Sequence, residues 1–439
     1  MSPTFRAFRA FNYRLWAAGA IVSNIGTWMQ RVAQDWLVLT VLTDHSAVAV
    51  GITTGLQFAP MLVLAPVAGV LADRTPKRRL LLMTQTAMGL VGLVLGLLVV
   101  TGAAQLWHAY ALALALGIAA AVDAPARQAF VSEMVSREDL SNAVGLNSAS
   151  FHGARIVGPG LAGLLIAWVG TGPVFLINAA TFAGTLFSLT HMRVSELAPA
   201  PPVDRRKGQL REGLRYVRRR PDIVLIMVIV GLVGTFGLNF QMTTAIMATA
   251  QFGKGSGEYG LLGSIMAIGS LGGALLAARR ERPRLRLVVG AAFTFGVFAS
   301  VAALMPTYEL FALALIPVGL SSLTLMTSAN ATVQLSVAPE MRGRVMALYM
   351  AIFMGGTPIG APIIGWVGGA FGPRWTILAG GLISLVTALT ALVYVLRTRR
   401  LRLRYRLRGT PHLLVTVAPR EQARLAMRAE QAADDRSAA

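Results

Sequence analysis

The sequence predicts an all-α polytopic membrane protein, twelve transmembrane helices in two pseudo-symmetric six-helix bundles, and three observations predict it. The chain is 55% hydrophobic and only 13% charged, against about 25% charged residues in an ordinary soluble domain. Apolar stretches of about twenty residues, the length that crosses a hydrocarbon core, recur through most of its 439 residues. Lys and Arg gather in alternate connections and at both ends, the bias that marks cytoplasmic loops.

Twelve spans follow from the apolar runs, at roughly 14–42, 47–72, 79–101, 108–131, 141–169, 172–192, 222–250, 258–278, 286–305, 309–335, 345–371 and 374–396. An even number with basic ends predicts both termini on the cytoplasmic side of a bacterial inner membrane. The formal charge of +21 raises a nucleic-acid reading. Its distribution removes it: connections such as Thr43 to Ala47, Gly102 to His108 and Gly170 to Pro173 contain no Lys or Arg, so the charge follows topology, not a binding face. There is no cysteine, which excludes disulfides and thiolate metal sites. No phosphate-binding Gly-x-x-x-x-Gly-Lys-Ser/Thr loop is present, so ATP is not expected as the energy source. No cofactor, metal site or nucleophile–base constellation is visible, and an enzyme is not expected. The first apolar run carries its own charges and reads as a retained helix, not a cleaved leader.

The organisation is an N-terminal bundle over 1–192, a cytoplasmic linker over 193–221, a C-terminal bundle over 222–396 and a basic tail over 397–439. Within the linker, Ala198 to Pro202 is spacer-like. Gly208 to Arg220 places Leu210, Leu214 and Val217 on one side among arginines. That stretch reads either as an amphipathic helix on an anionic inner leaflet or as a solvated connector. The tail from Glu421 to Ala439 reads as partly helical or disordered. A repeat spans the linker: Gly117, Gly153, Gly158, Gly163 and Gly170 recur as Gly319, Gly355, Gly360, Gly365 and Gly372, each displaced by 202 residues. Two bundles around a midplane cavity are the physical expectation.

Charges inside spans cost about 2.5–3.5 kcal/mol each on insertion scales. The first half holds Arg31, Asp35, Asp123, Arg127 and Arg155, while the corresponding spans of the second half hold essentially none. On span 1, Asn24, Trp28, Arg31 and Asp35 fall within about 60° of one another at 100° per residue, a narrow polar stripe that should face a cavity. Arg31 and Asp35 have the spacing of an i,i+4 pair, so the stripe is either a neutralised packing lock or part of a substrate and proton pathway. Asp123 and Arg127 repeat that spacing on span 4 around Pro125, which should loosen the helix; the pair either snorkels to the interface or seals a gate. Arg155 lies too deep in span 5 to snorkel and either pairs with an acid or holds an anionic substrate. Span 7 adds an uncharged stripe of Thr235, Asn239 and Thr243, and span 11 adds Tyr349, Met350, Phe353 and Met354. A charged wall opposite an apolar, aromatic one suits an amphipathic organic molecule.

Gly69-Val-Leu-Ala-Asp73-Arg74-Thr-Pro-Lys77-Arg78 resembles the signature loop between helices 2 and 3 of the major facilitator superfamily, with Pro76 in place of a glycine. Ala154-Arg155-Ile-Val-Gly158-Pro159-Gly-Leu-Ala162-Gly163 resembles the antiporter motif of helix 5 in that family, with Ala for two glycines. Ser23-Asn24-Ile-Gly26-Thr-Trp28, Asp123-Ala-Pro125-Ala-Arg127 and Met341-Arg342-Gly343-Arg344-Val345 are similar to the bacterial branch that includes the enterobactin exporter. The resemblance implies a monomeric, drug- or siderophore-type efflux protein that exports a small molecule by antiport with protons. One departure matters. The family's helix 4 Arg-x-x-Gln-Gly would place its arginine at Ala113 and its glutamine at Leu116. Proton duty would then pass to Asp35 or Asp123, and Asp73 would latch against the start of helix 11. An importer or facilitator, and a non-transporting sensor or accessory protein, are the alternatives.

Overall fold

The computed structural model describes residues 3–198, 209–278, 285–398, 401–405 and 413–417. Its burial is that of a membrane bundle. Large apolar side chains such as Trp168, Val63 and Val67 are exposed, while Gln30, Gln85, Asp123 and Asn178 are buried. Polar groups turn inward because lipid offers them no hydrogen bonds.

Ten helical segments among the described residues are long and apolar enough to cross a membrane. The first half contains α1 (Phe11–Trp36), α2 (Ala47–Val63), α3 (Ala65–Arg74), α4 (Lys77–Val100), α5 (Leu106–Met134), α6 (Leu140–Val169) and α7 (Thr171–Thr190). A short helix α8 (Gln209–Arg218) precedes α9 (Pro221–Leu232), α10 (Phe240–Ile246), α11 (Ser256–Ala278), α12 (Leu285–Leu304), α13 (Tyr308–Ser336), α14 (Pro339–Phe371) and α15 (Trp375–Thr398).

Three of the expected spans are less regular than their apolar runs suggested. The first is α1, which carries Arg31 and Asp35 and runs on as a wide-turned segment over Leu37–Leu42. The second breaks at Leu64 into α2 and α3, since Pro66 in the first turn of α3 has no N–H to continue the ladder. The seventh is α9, a wide-turned Val233–Gly237, a non-helical Leu238–Asn239 and α10. Gly231, Gly234 and Gly237 lower its helix propensity. Pro125, expected to loosen its helix, lies inside an unbroken α5.

The signature-like loop between spans 2 and 3 shrinks to Thr75 and Pro76, because α3 ends at Arg74 and α4 starts at Lys77. The linker's basic stretch forms α8, where Val217 is buried and Leu214 is 47% exposed. Arg344 Nη1 lies 2.6 Å from Glu212 Oε2, which ties α8 to the start of α14. Residues 199–208 and 418–439, including the spacer-like segment beyond Ala198 and the tail from Glu421, lie outside the described residues. Within the tail, β1 (Leu401–Tyr405) and β2 (Leu413–Val417) pair antiparallel, with Leu401 opposite Val417. This two-stranded ribbon was not expected.

The repeat is visible in the backbone. Gly170 and Gly372 end α6 and α14 with φ of +81° and +101°, a region that glycine enters without steric cost. The halves meet along two seams, α2 on α14 and α6 on α11. A methyl group on Gly51 would stand 2.6 Å from the Ala361 carbonyl oxygen, and one on Gly365 2.6 Å from that of Ala47. In the other seam Gly163 approaches the Ser256 carbonyl and Gly260 that of Pro159. Small residues permit such close backbone contact. These contacts run from mid-helix to the end away from the chain termini. Toward the termini, a methyl on Gly145, Gly153 or Gly343 would meet no atom within 4 Å among the described residues.

Candidate functional site

Near the middle of α1, side chains from three helices gather around Trp28 and Arg31. The Arg31 guanidinium carbon lies 4.9 Å from the Trp28 ring centroid and 5.4 Å from that of Phe58 on α2. Arg155 on α6 approaches the same indole at 5.7 Å, and Phe151 meets it edge-on at 5.8 Å. Gly158 makes this possible: a methyl there would stand 2.6 Å from Trp28 Cβ. One helical turn earlier, Asn24 Nδ2 donates to Ser150 Oγ at 3.3 Å. Arg31 also lines a small, partly open cavity within the first half, beside Thr27, Gln57, Met61, Leu116 and Phe182. Leu116, which occupies the position of the family's polar helix 4 motif, gives this cavity an apolar wall.

Asp35 is buried at the seam and does not form the expected ion pair with Arg31 within 4 Å among the described residues. Tyr259 of α11 donates its hydroxyl to Asp35 Oδ2 at 3.2 Å, with the Gln241 carbonyl 3.3 Å from the same hydroxyl. Trp36 stacks on the Tyr259 ring at 6.2 Å. The carboxylate therefore bridges the two halves at the end away from the termini.

Asp123 behaves differently. Its Oδ2 accepts from Arg127 Nε at 2.9 Å, and its Oδ1 from Thr84 Oγ1 at 2.8 Å and Gln85 Nε2 at 2.6 Å. Arg127 stacks over Trp16 at 5.4 Å. Nearby, Lys77 Nζ lies 3.1 Å from Glu133 Oε1, largely buried, and Arg78 Nε donates to the Leu189 carbonyl at 2.6 Å. Two basic residues at the start of α4 thus tie it to the ends of α5 and α7, inside the first half. Arg74 is exposed and Gly69 half-buried. The side chain of Asp73, and with it the expected latch, lies outside the described residues.

The antiporter-like motif faces two ways. Gly158 lies against α1, while Pro159 and Gly163 lie against Gly263, Gly260 and Ser256 of α11. Asn239 turns back on its own helix and donates to the Thr235 carbonyl at 2.7 Å, leaving its buried Oδ1 without a hydrogen-bond partner. The sequence reading missed Tyr259, Gln241, Phe58, Glu133, Thr84 and Gln85. Only Glu133 carries a charge that could have flagged it.

Helices that meet along two related glycine seams around buried charges define a transporter of the major facilitator type. The chain belongs to the family of transmembrane secretion effectors, which matches residues 2–415. It is 25% identical to the staphyloferrin A transporter of Staphylococcus aureus, covering 87% of this chain and 94% of the relative. It is 27% identical to the enterobactin exporter EntS of Shigella flexneri, over 82% and 86% of the two chains. The multidrug efflux pump Tap of Mycolicibacterium fortuitum is also 27% identical, over 87% and 95%. Crystal structures of the nucleoside transporter NupG and a bacterial homologue of the lysosomal transporter Spinster share the fold. Their TM-scores are 0.70 and 0.64 at 14% identity, covering 87% and 90% of this chain, and 99% and 96% of theirs. The protein is a multi-pass membrane transporter, not an enzyme.

Proposed function

We propose that this protein exports a small amphipathic or anionic organic molecule from the bacterial cytoplasm by proton antiport and alternating access. It would act as a monomer in the inner membrane, with both termini cytoplasmic and its basic surface against anionic lipids. The two repeat halves would rock about their seams. The observation that carries the reading is Asp35, a buried carboxylate that joins the halves through Tyr259 at the end away from the termini. Burying it ionised is costly in a membrane protein. A proton arriving from outside removes that cost and favours closure of the far end. Its departure inward resets the carrier.

Asn24, Trp28, Arg31, Arg155 and Asn239 would line the substrate path. Asp123 and Arg127, with Gly69, Asp73, Arg74, Lys77 and Arg78, would hold the gate near the termini. Gly158, Pro159 and Gly163 would carry motion between site and seam. The enterobactin exporter and the efflux pump among the relatives favour export, while the staphyloferrin A transporter leaves the cargo class broad. In proteoliposomes, a pH gradient should drive substrate flux through the wild type, and Asp35→Asn should reduce that flux at least tenfold. Full gradient-driven flux in Asp35→Asn would remove Asp35 as the coupling group. Reversing the gradient and reading the direction of flux separates export from import.

A further inference from the structure

We infer that the cluster of Trp28, Arg31, Phe58 and Arg155 binds an anionic group of the cargo, a carboxylate or similar oxyanion on an apolar body. This inference rests on the transport reading above and narrows it.

The first ground is two half-buried arginines without an ion-pair partner. Among the described residues, neither Arg31 nor Arg155 has an acid within ion-pair distance. The nearest acid along the helix, Asp35, is engaged by Tyr259. Both guanidinium carbons approach one indole, within the range of about 6 Å that defines such contacts. Two like charges held this close repel each other, and an oxyanion beside them relieves the repulsion.

The second ground is geometry. Trp28 and Phe58 approach the guanidinium through their rings, and an aromatic face accepts no strong N–H hydrogen bond comparable to a carboxylate's. Arg31 Nε is buried without a hydrogen-bond partner among the described residues. A guanidinium presents its donors as a planar fork that fits a carboxylate. Arg31 borders the cavity whose other walls include Met61, Met88, Leu116 and Phe182, which suits an apolar body next to the charged group. A cation would meet two positive charges here.

The anion also acts on the seam. Asp35 and Arg31 lie one helical turn apart on α1, so Arg31 tempers the cost of the buried carboxylate. A bound oxyanion draws that charge to itself, leaves ionised Asp35 less compensated, and favours opening of the far end where Asp35 can hydrate. Cargo binding and seam opening then share one residue, Arg31.

The test uses the purified full-length protein and three probes that share a naphthyl body and carry an anionic, a neutral or a cationic group: 1-naphthoate, 1-naphthylmethanol and 1-naphthylmethylammonium. Titration calorimetry should give naphthoate at least tenfold tighter binding than either of the others. Arg31→Gln and Arg155→Gln should each weaken naphthoate at least tenfold and the alcohol much less, and Arg155→Lys should restore part of the loss. If Arg31→Gln does not fold, Arg155→Gln and Arg155→Lys decide the matter. Naphthoate binding no tighter than the alcohol or the ammonium overturns the inference, as does full naphthoate affinity in both glutamine variants. Gradient-driven, Asp35-dependent transport of ethidium alongside such a result would leave the transport reading standing and this inference alone refuted.

Discussion

Asp35 and Asp123 begin from the same local arrangement, an aspartate four residues from an arginine on a membrane helix, and end in opposite states. Asp123 is saturated by Arg127, Thr84 and Gln85. Asp35 leaves Arg31 to the aromatic rings and reaches Tyr259 in the other half of the molecule. Helical spacing brings two charges within reach, but the neighbouring helices decide whether they pair. Around Asp123 the donors all come from the first half, so the group is a fixed joint. Around Asp35 the hydroxyl donor belongs to the other half, so the proposed alternating-access cycle would break this contact.

The largest effect should come from destroying the fixed joint. Asp123→Ala leaves Arg127 largely buried beside Trp16 without its acid, a class of change that costs about 3–5 kcal/mol. A sharp fall in folded yield and melting temperature in detergent should follow. Asp35→Asn should leave the melting temperature within a few degrees of wild type while abolishing gradient-driven flux. An unfolded Asp35→Asn with an intact Asp123→Ala would invert the comparison.

A smaller effect is expected from Tyr259→Phe. A hydrogen bond to a charged group is worth about 1.5–3 kcal/mol, so the far seam should open more often. Cysteines placed on the two sides of that seam in this cysteine-free chain should be labelled severalfold faster from outside. Unchanged labelling would make the hydroxyl contact incidental. Smallest of all should be Glu212→Gln. The carboxylate is 56% exposed where it meets Arg344, and such surface pairs contribute about 0–1 kcal/mol. Melting temperature and flux should both stay near wild type.

Much of this contrast was legible in the sequence. A charge inside an apolar run announces itself, so Arg31, Asp35, Asp123, Arg127 and Arg155 could be marked before any fold was known. The 202-residue register divided the chain in two and anticipated the matching ends of α6 and α14. The partners were less accessible. Tyr259 lies 224 residues from Asp35, and a lone tyrosine among apolar neighbours reads as packing. Phe58 is one aromatic side chain among many until α2 lays it against Arg31. Lys77 was legible as an orientation marker, yet its buried contact with Glu133 depends on how α4 meets α5. The break at Leu238 and Asn239 contains no proline, so only the thin spacing of glycines before it gave warning.

The position of Gly158 beside Pro159 has a mechanical consequence. One backbone atom touches the tryptophan that gathers both arginines, and the next residue touches the opposite half of the molecule. Site and hinge are therefore not linked by a long chain of side chains, each losing part of the displacement. They lie on two sides of a single turn of α6, like the two faces of a wedge. In the proposed cycle, a small shift at the indole should reach the seam through this one turn. Bulk added at Gly158 should act as a permanent cargo, holding the carrier in the posture that a bound molecule would otherwise impose only in passing.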